Sequence, residues 1–531
     1  MIRRSRAPLT VALAGMLALT ACSSGGATFS KLVSPPLPAT PSPGAPPASR
    51  APATPSVSPV TFTDCTAVIK PQIAGQRGGD RDLRFGCGRL RVPLDYTNPS
   101  GQGLRLFLLR VRLGGQRQRI GSLVVNPGGP GGSGLDAAVG LALQLPLDLL
   151  RRFDLVGFDP RGVGLSSPLT CIPDSLKDRG IALDPDARAP GQYAAQAALA
   201  RQIAQGCSSE YGRALGHYNT EETARDMELV RQGVDDAKLT YLGYSYGSRL
   251  GSVYAHLFPR RVRALVLDGA VNPLAGEVAG AETQARGFEN AYDRFAADCR
   301  RKGTSCLVGP DARASLTALV AQARRAPIRS SAAGETRSAT AGHVLLAAIS
   351  ALYDQDEWRI LDSALYEARN GDAAGVLALA DRYSQRDENG KYTNLLDANV
   401  TINCTDTKER VPDAVVTAKL AEWRRQYPLF GTSLALGLLA CQQWTGPRHP
   451  LPVVKATGAP PILVVGTVND PATPYASAQV LARQLASGRL LTWQGDGHTA
   501  YPKTPCVTAA VGAYLIDLTP PPGGTSCPRT G

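Results

Sequence analysis

Lysine is scarce in this 531-residue chain, with ten residues against 47 arginines. The positive excess of 13 (57 Lys+Arg against 44 Asp+Glu) therefore rests on arginine, and the arginines are scattered rather than gathered in a block. With no basic helix and no zinc-finger spacing, that charge is not a nucleic-acid footprint. Histidine is scarcer still, at five, which leaves few choices for a catalytic base. Beyond the N-terminal segment no apolar run approaches the roughly eighteen residues of a membrane-spanning helix, so the body of the chain is expected outside the bilayer. Charged residues make up only 19% and hydrophobic ones 43%, a balance that can bury a large core and excludes wholesale disorder. Cysteine, by contrast, is plentiful: eleven residues point to an oxidising compartment. Eleven is odd, so at least one does something other than pair within the chain.

The N-terminus offers a use for it. Arg3, Arg4 and Arg6 precede an apolar stretch from Pro8 to Ala18, a signal-peptide pattern too short to span a bilayer. It runs into Leu19-Thr20-Ala21-Cys22, which resembles the lipobox of bacterial lipoproteins, where a cysteine after small residues is acylated and becomes residue one. An ordinary secretory signal followed by an incidental cysteine is the alternative. Lipidation of Cys22 implies an extracytoplasmic protein anchored to membrane lipid, with residues 1–21 removed as signal peptide. Residues 22–60 are rich in Pro, Ser and Ala; such a tract builds neither helix nor central strand and reads as an extended spacer.

From residue 61 short apolar runs alternate with helical patterns. Ser122–Asn126, Phe153–Asp159, Leu239–Tyr244, Ala264–Asp268, Ile462–Gly466 and Leu490–Trp493 have the length of buried strands, and Arg89–Tyr96 and Leu104–Leu113 suit an antiparallel edge. Helical periodicity occupies Leu135–Phe153, Glu221–Asp236, Gly247–Phe258, Ala476–Leu485 and Val507–Leu518. The alternation predicts an α/β fold with a mostly parallel sheet flanked by helices. It lapses between about Glu277 and Lys455, where Ala281–Lys302, Ala312–Arg325, His343–Leu352, Trp358–Arg369 and Asp413–Tyr427 read as helices. That stretch is either a second domain or a lid inserted into the first.

Gly243-Tyr244-Ser245-Tyr246-Gly247 lies where a strand run gives way to a helical one, the context a G-x-S-x-G nucleophile elbow requires. Ser245 must sit on a sharp turn that brings backbone close to the residues two before and two after, hence the glycines. A serine hydroxyl needs a base, and the base an orienting acid, in the chain order Ser, Asp or Glu, His. His217 precedes the serine, His256 lies in the helix just after it, and His343 and His449 fall in the helical stretch. His498 alone follows the last predicted strand, in the loop Gly495-Asp496-Gly497-His498-Thr499, and is the expected base. Asp470, at the end of the preceding strand, is the expected acid; Asp496 is its rival but stands too close in sequence to reach the far ring nitrogen. This triad brackets residues 276–454, which makes them a lid on a core formed by 61–275 and 455–531.

The oxyanion of acyl transfer needs backbone donors. Asn126-Pro127-Gly128-Gly129-Pro130-Gly131-Gly132-Ser133-Gly134 follows a strand, and the N–H of Gly129, or of neighbouring Gly128, is expected to join that of Tyr246. A phosphate loop is the competing reading, but no Gly-Lys-Ser/Thr follows.

With these pieces in place the chain resembles the prolyl aminopeptidase family of α/β-hydrolases, in particular its actinobacterial tripeptidyl aminopeptidase-like branch of secreted proteins and lipoproteins. The resemblance rests on NPGGPGGSG at 126–134, FDPRGVGLSSP at 158–168, LGYSYGSRLG at 242–251, LDG at 267–269, DPATP at 470–474 and GHT at 497–499. It implies a serine exopeptidase that cuts peptides with a free N-terminus through an acyl-enzyme, without metal or other cofactor. Prolyl aminopeptidases begin the oxyanion loop with HGGPG; Pro127 stands in that place here and favours the tripeptidyl branch. Such enzymes hold the substrate ammonium with lid carboxylates, for which Glu277, Glu282, Glu289 and Asp406 are candidates, each with solvated surface charge as the plainer alternative. FDPRGVG is read as a shaped turn with its Asp159 and Arg161 hydrogen-bonded. A carboxylesterase or lipase on the same triad is the alternative function, and a non-catalytic binding lipoprotein a more distant one.

Setting Cys22 aside leaves ten cysteines. Pairing of neighbours is expected: Cys65–Cys87, Cys171–Cys207, Cys299–Cys306, Cys404–Cys441 and Cys506–Cys527, each closing a local loop.

Overall fold

The computed structural model describes residues 55–186, 188 and 191–529. The signal segment 1–21, Cys22 and residues 23–54 of the spacer lie outside the described residues. Among the described residues ten strands form one sheet: β1 (Thr63–Asp64), β2 (Leu83–Pro93), β3 (Gly103–Leu113), β4 (Gly121–Asn126), β5 (Phe153–Phe158), β6 (Leu239–Tyr244), β7 (Val262–Asp268), β8 (Ile462–Asn469), β9 (Gly488–Asp496) and β10 (Ser526–Cys527). Their spatial order is β1-β2-β3-β5-β4-β6-β7-β8-β9-β10. The pairs β1–β2, β2–β3 and β3–β5 are antiparallel and the rest are parallel.

Strands β4, β5 and β6 are buried at every residue. Helices cover both faces of the sheet, which is why these strands read as unbroken apolar runs rather than alternating ones. The pleat still divides them. Val124, Tyr241 and Val464 enter one apolar cluster, while their chain neighbours Val125, Leu242 and Val465 enter the other. In register, Asn126 faces Gly243, Tyr244 faces Asp268, Asp268 faces Val465, and Asn469 faces Asp496. The loops leaving β4, β6, β7, β8 and β9 therefore converge at the carboxyl edge of the sheet, where open α/β sheets carry their sites.

Two of the expected elements take a different form. The helix expected over 135–153 is broken into Gly134–Gln144 and Leu147–Arg152 around Leu145-Pro146, because the residue before a proline avoids helical backbone. Strand β2 starts at Leu83 rather than Arg89 and pairs with β3 along its whole length; Gly86-Cys87-Gly88 hides its alternation.

Between β7 and β8 the chain is mainly helical, with only a two-stranded ribbon (Ile328–Arg329 with Ser338–Ala339) breaking the pattern. Phe288, Tyr292, Phe295, Val344, Trp358 and Leu361 build a further apolar cluster there. Helices Asp174–Ala182 and Gln192–Tyr211, between β5 and β6, pack against this layer. Thr340 Oγ1 donates to the Ala182 carbonyl (2.8 Å), and Lys177 pairs with Asp397 (2.7 Å). Helix Leu395–Asp406 is absent from the sequence reading because its buried residues run all round it and leave no apolar stripe. Disulfides join Cys65–Cys87, Cys171–Cys207, Cys299–Cys306, Cys404–Cys441 and Cys506–Cys527, and the last ties the Pro/Gly-rich tail to the helix Pro505–Asp517.

Arg161 is fully buried in the turn after β5. It forks onto Asp226 (2.7 and 2.8 Å) and donates to the carbonyls of Pro93, Leu94 and His217. Asp159 accepts from Ser133 Oγ (2.7 Å) and the Leu165 N–H (2.8 Å). Both side chains serve the turn. Truncating one member of such a buried pair strands the other charge, so Arg161→Ala is expected to cost about 3–5 kcal/mol, read as a lowered denaturation midpoint. A loss under about 1 kcal/mol, the size of an ordinary surface change, would contradict this account.

Candidate active site

Ser245 follows β6 directly and begins the helix Tyr246–Leu257 with φ 55° and ψ −121°. This left-handed backbone is costly for a residue with a Cβ and persists only where its surroundings over-determine it. Here they do. A Cβ on Gly243 would lie 2.4 Å from the Gly247 carbonyl oxygen, and one on Gly247 would lie 2.8 Å from that of Asn126. The Ser245 N–H donates to the Asp268 carbonyl at 2.8 Å, while Ser248 Oγ donates to the Ser245 carbonyl at 2.6 Å.

Asp470 leaves the end of β8 and is 3% exposed; His498 leaves the end of β9 and is 2% exposed. His498 Nδ1 lies 3.0 and 2.9 Å from the two carboxylate oxygens of Asp470. That contact requires the proton on Nδ1 and leaves the lone pair on Nε2, which is buried and without a hydrogen-bond partner among the described residues. Asp470 is fixed in turn by the N–H groups of Ala472 (2.9 Å) and Thr473 (2.8 Å) and by Thr473 Oγ1 (3.0 Å). Asp496 is occupied elsewhere, by Arg294 and Arg529. The ring of His498 abuts Gly269, where a Cβ would stand 2.9 Å from Cε1, one residue beyond the carbonyl that holds Ser245. The helical layer closes over it: the His498 N–H donates to the Tyr353 carbonyl (2.7 Å), and the Tyr353 ring meets the imidazole edge-on at 5.3 Å.

The glycine loop after β4 lies against the elbow. Gly128 stands where a Cβ would meet the Tyr244 carbonyl oxygen at 2.6 Å and Ser245 Cβ at 2.9 Å. Its N–H is spent on Asn126 Oδ1 (3.0 Å), whereas that of Gly129 has no partner among the described residues. Tyr246, first in its helix, likewise has no intrahelical acceptor for its N–H. Of the two glycines, Gly129 is thus the one with a donor to spare. Helix Leu395–Asp406 covers this loop, with Asn399 Nδ2 donating to the Pro130 carbonyl (3.0 Å).

The four carboxylates considered for a substrate ammonium are placed differently from one another. Glu289 pairs with Arg313 and accepts from the N–H groups of Leu429 and Phe430. Asp406 is buried and accepts from the Thr220 N–H and Oγ1, and Thr220 Oγ1 also meets the Tyr246 hydroxyl (2.7 Å). Both are committed to holding this fold. Glu282 stands 3.8 Å from Lys419 and accepts weakly from Tyr427. Glu277 keeps one buried oxygen without a partner, and burial pushes its carboxyl up to about 7 against the pull of Arg448.

The family model described as "TAP-like protein" matches residues 427–527. The serine protease Hip1 of Mycobacterium tuberculosis is 38% identical over 486 residues, covering 88% of this chain and 91% of the relative. The tripeptidyl aminopeptidase of Streptomyces coelicolor is 32% identical over 441 residues, covering 81% of this chain and 80% of the relative. Carboxylesterase B of M. tuberculosis is 36% identical over 454 residues, covering 83% of this chain and 86% of the relative. The chain belongs to the TAP-like α/β-hydrolase family. It is a serine hydrolase, and its five disulfides are those of an extracytoplasmic protein. No helix of the described residues is long and apolar enough to cross a membrane.

In this TAP-like site the sequence motifs left out Thr473, Asn126, Asn399 and Tyr353. Thr473 stood within DPATP and Asn126 within the glycine loop, so both were on view without a role. If Asp470 fixes the imidazole tautomer, Asp470→Asn should lower kcat by about 10⁴-fold while the fold is retained, as measured by steady-state kinetics beside circular dichroism. A loss under about tenfold would remove Asp470 from the site.

Proposed function

We propose that this chain is a serine exopeptidase that releases short peptides from free N-termini through an acyl-enzyme on Ser245, with Asp470 and His498 completing the triad. The observation that carries the reading is the His498 imidazole, held through Nδ1 by Asp470 with Nε2 unpartnered and its ring against Gly269, the neighbour of the residue whose carbonyl holds the Ser245 N–H. Nε2 takes the Ser245 proton as Oγ attacks the scissile carbonyl, then delivers it to the leaving amine. Backbone donors Tyr246 and Gly129 receive the oxyanion, each contributing about 3–4 kcal/mol to the transition state. A water repeats the sequence to free the acyl product.

The peptidase reading is supported by relatives named serine protease and tripeptidyl aminopeptidase. Residues 276–454 act as the lid over the core of 61–275 and 455–531, and of the four carboxylates Glu277 is assigned to the substrate ammonium because it keeps a buried oxygen without a partner. Cys22 carries the acyl chains that anchor the enzyme to the membrane, and the 22–60 tract spaces it from the surface only as far as Val57, where the chain joins the core: Val57 and Val60 pack on the apolar cluster and the Val60 N–H donates to the Gly233 carbonyl (2.7 Å). A carboxylesterase is the second reading, favoured by the relative of that name.

Free peptide anilides should be cleaved much faster than their N-blocked counterparts, and Ser245→Ala should abolish fluorophosphonate labelling. Equal cleavage of free and blocked peptides, or hydrolysis of short esters alone, would favour the second reading. Cys22→Ala should move the protein from the membrane fraction to the soluble one in the native host; unchanged fractionation would refute the anchor.

A further inference from the structure

Asp268 is a buried carboxylate that the triad does not use. It ends β7 between the nucleophile strand and the acid strand, facing Tyr244 on one side and Val465 on the other, with no exposed surface. Its main-chain oxygen accepts the Ser245 N–H at 2.8 Å. Its side chain reaches the other way: Oδ1 and Oδ2 accept the Ala500 N–H at 3.1 and 2.9 Å, and Oδ2 accepts the Tyr501 N–H at 2.8 Å. Ala500 and Tyr501 stand two and three residues after the base, and between them and His498 lies Thr499 at φ 65°. A β-branched residue adopts that conformation only under constraint. One residue thus holds the serine through its backbone and the histidine loop through its side chain.

From this geometry we infer that Asp268 is a positioning residue for the reaction, setting the separation and orientation of Ser245 and His498 through the peptide N–H groups of Ala500 and Tyr501. The inference rests on the Ser245–His498 reading but not on the choice of peptide over ester. Its charge acts as well as its shape. The titratable groups around it are His498 and Asp470, with the phenol of Tyr501 on the held loop. Burial pushes the Asp268 carboxyl up to about 6, opposed by the two N–H donors and by His498. As pH falls through that value the carboxylate takes up a proton and becomes a poorer acceptor, so the loop is held less firmly. The ionised form also favours the imidazolium that develops during proton transfer.

The test compares Asp268→Asn and Asp268→Glu with the full-length wild type, using p-nitrophenyl acetate and fluorophosphonate labelling. Both probes read the Ser245 centre whatever its natural substrate, so failure of the peptidase reading leaves this test intact. Ser245→Ala checks the centre itself. In Asp268→Asn the amide oxygen can keep the Oδ2 position, but its NH₂ then stands against the Ala500 N–H at the Oδ1 position and the loop is displaced, so kcat should fall by about 10²-fold, the loss expected when a reacting group is misplaced by about 1 Å, with KM little changed. The acid limb of kcat/KM should move to lower pH, since a negative charge beside the imidazole is gone. Asp268→Glu keeps the charge and should restore the wild-type limb while still losing kcat. Wild-type kcat and acid limb in folded Asp268→Asn would overturn the inference. So would lost activity with an unshifted limb and a lowered melting temperature, the mark of a structural role alone. Should neither variant fold, amide exchange in the wild type decides: protection at Ala500 and Tyr501 should weaken between pH 7 and pH 5, and unchanged protection would refute the inference.

Discussion

The site depends on a serine held in left-handed backbone at the end of a buried strand. At φ 55° Ser245 breaks from the strand and starts a helix whose first N–H, that of Tyr246, has no intrahelical acceptor. No intrinsic preference of serine favours this conformation. It survives because neighbouring backbone has been brought within contact distance on every side. Gly243, Gly247 and Gly128 are the price of that approach, since a Cβ on any of them would meet main-chain or Ser245 atoms at under 3 Å. The strain is local, and the cohesion that sustains it is spread over the apolar clusters on both faces of the sheet.

Around that point the molecule uses two bodies to fix one imidazole. The sheet supplies Asp470 to the ring and Asp268 to the loop behind it, whereas the helical layer supplies the Tyr353 carbonyl and ring. The same layer covers the oxyanion loop through Asn399 and reaches the hydroxyl of Tyr246 by way of Asp406 and Thr220. Hydrogen bonds tie the helical segments to His498 and to the glycine loop, so the insertion shares in the geometry of the proposed site. Its disulfides Cys299–Cys306 and Cys404–Cys441 lie within this layer, and Cys404 sits in the helix that touches the oxyanion loop.

Much of this was legible in the sequence because the chemistry is tied to strand ends. A buried strand leaves a short apolar run, and the polar residue that terminates it stands out, as Ser245, Asp470 and His498 do. Asp268 also ends such a run, but a carboxylate that binds only peptide N–H groups has no partner residue type to betray it. The helix Leu395–Asp406 escaped because burial all round erases amphipathic spacing, and with it went Asn399. Glu289 and Asp406 looked like any other lid carboxylates; that their oxygens are taken by Arg313, Thr220 and backbone is a fact of tertiary packing with no sequence signal. The division of duties between Gly128 and Gly129 turns on one hydrogen bond from Gly128 to Asn126, below the reach of any motif.

The central claim is that peptide cleavage passes through an ester on Ser245. Acid quenching during turnover of a free-amine peptide anilide, followed by proteolysis and mass spectrometry, tests it directly. The account predicts that the fragment containing Ser245 gains the mass of the acyl portion of the substrate, and that Asp470→Asn changes how much of it accumulates. Turnover with no adduct at any quench time, or an adduct on another residue, would contradict it.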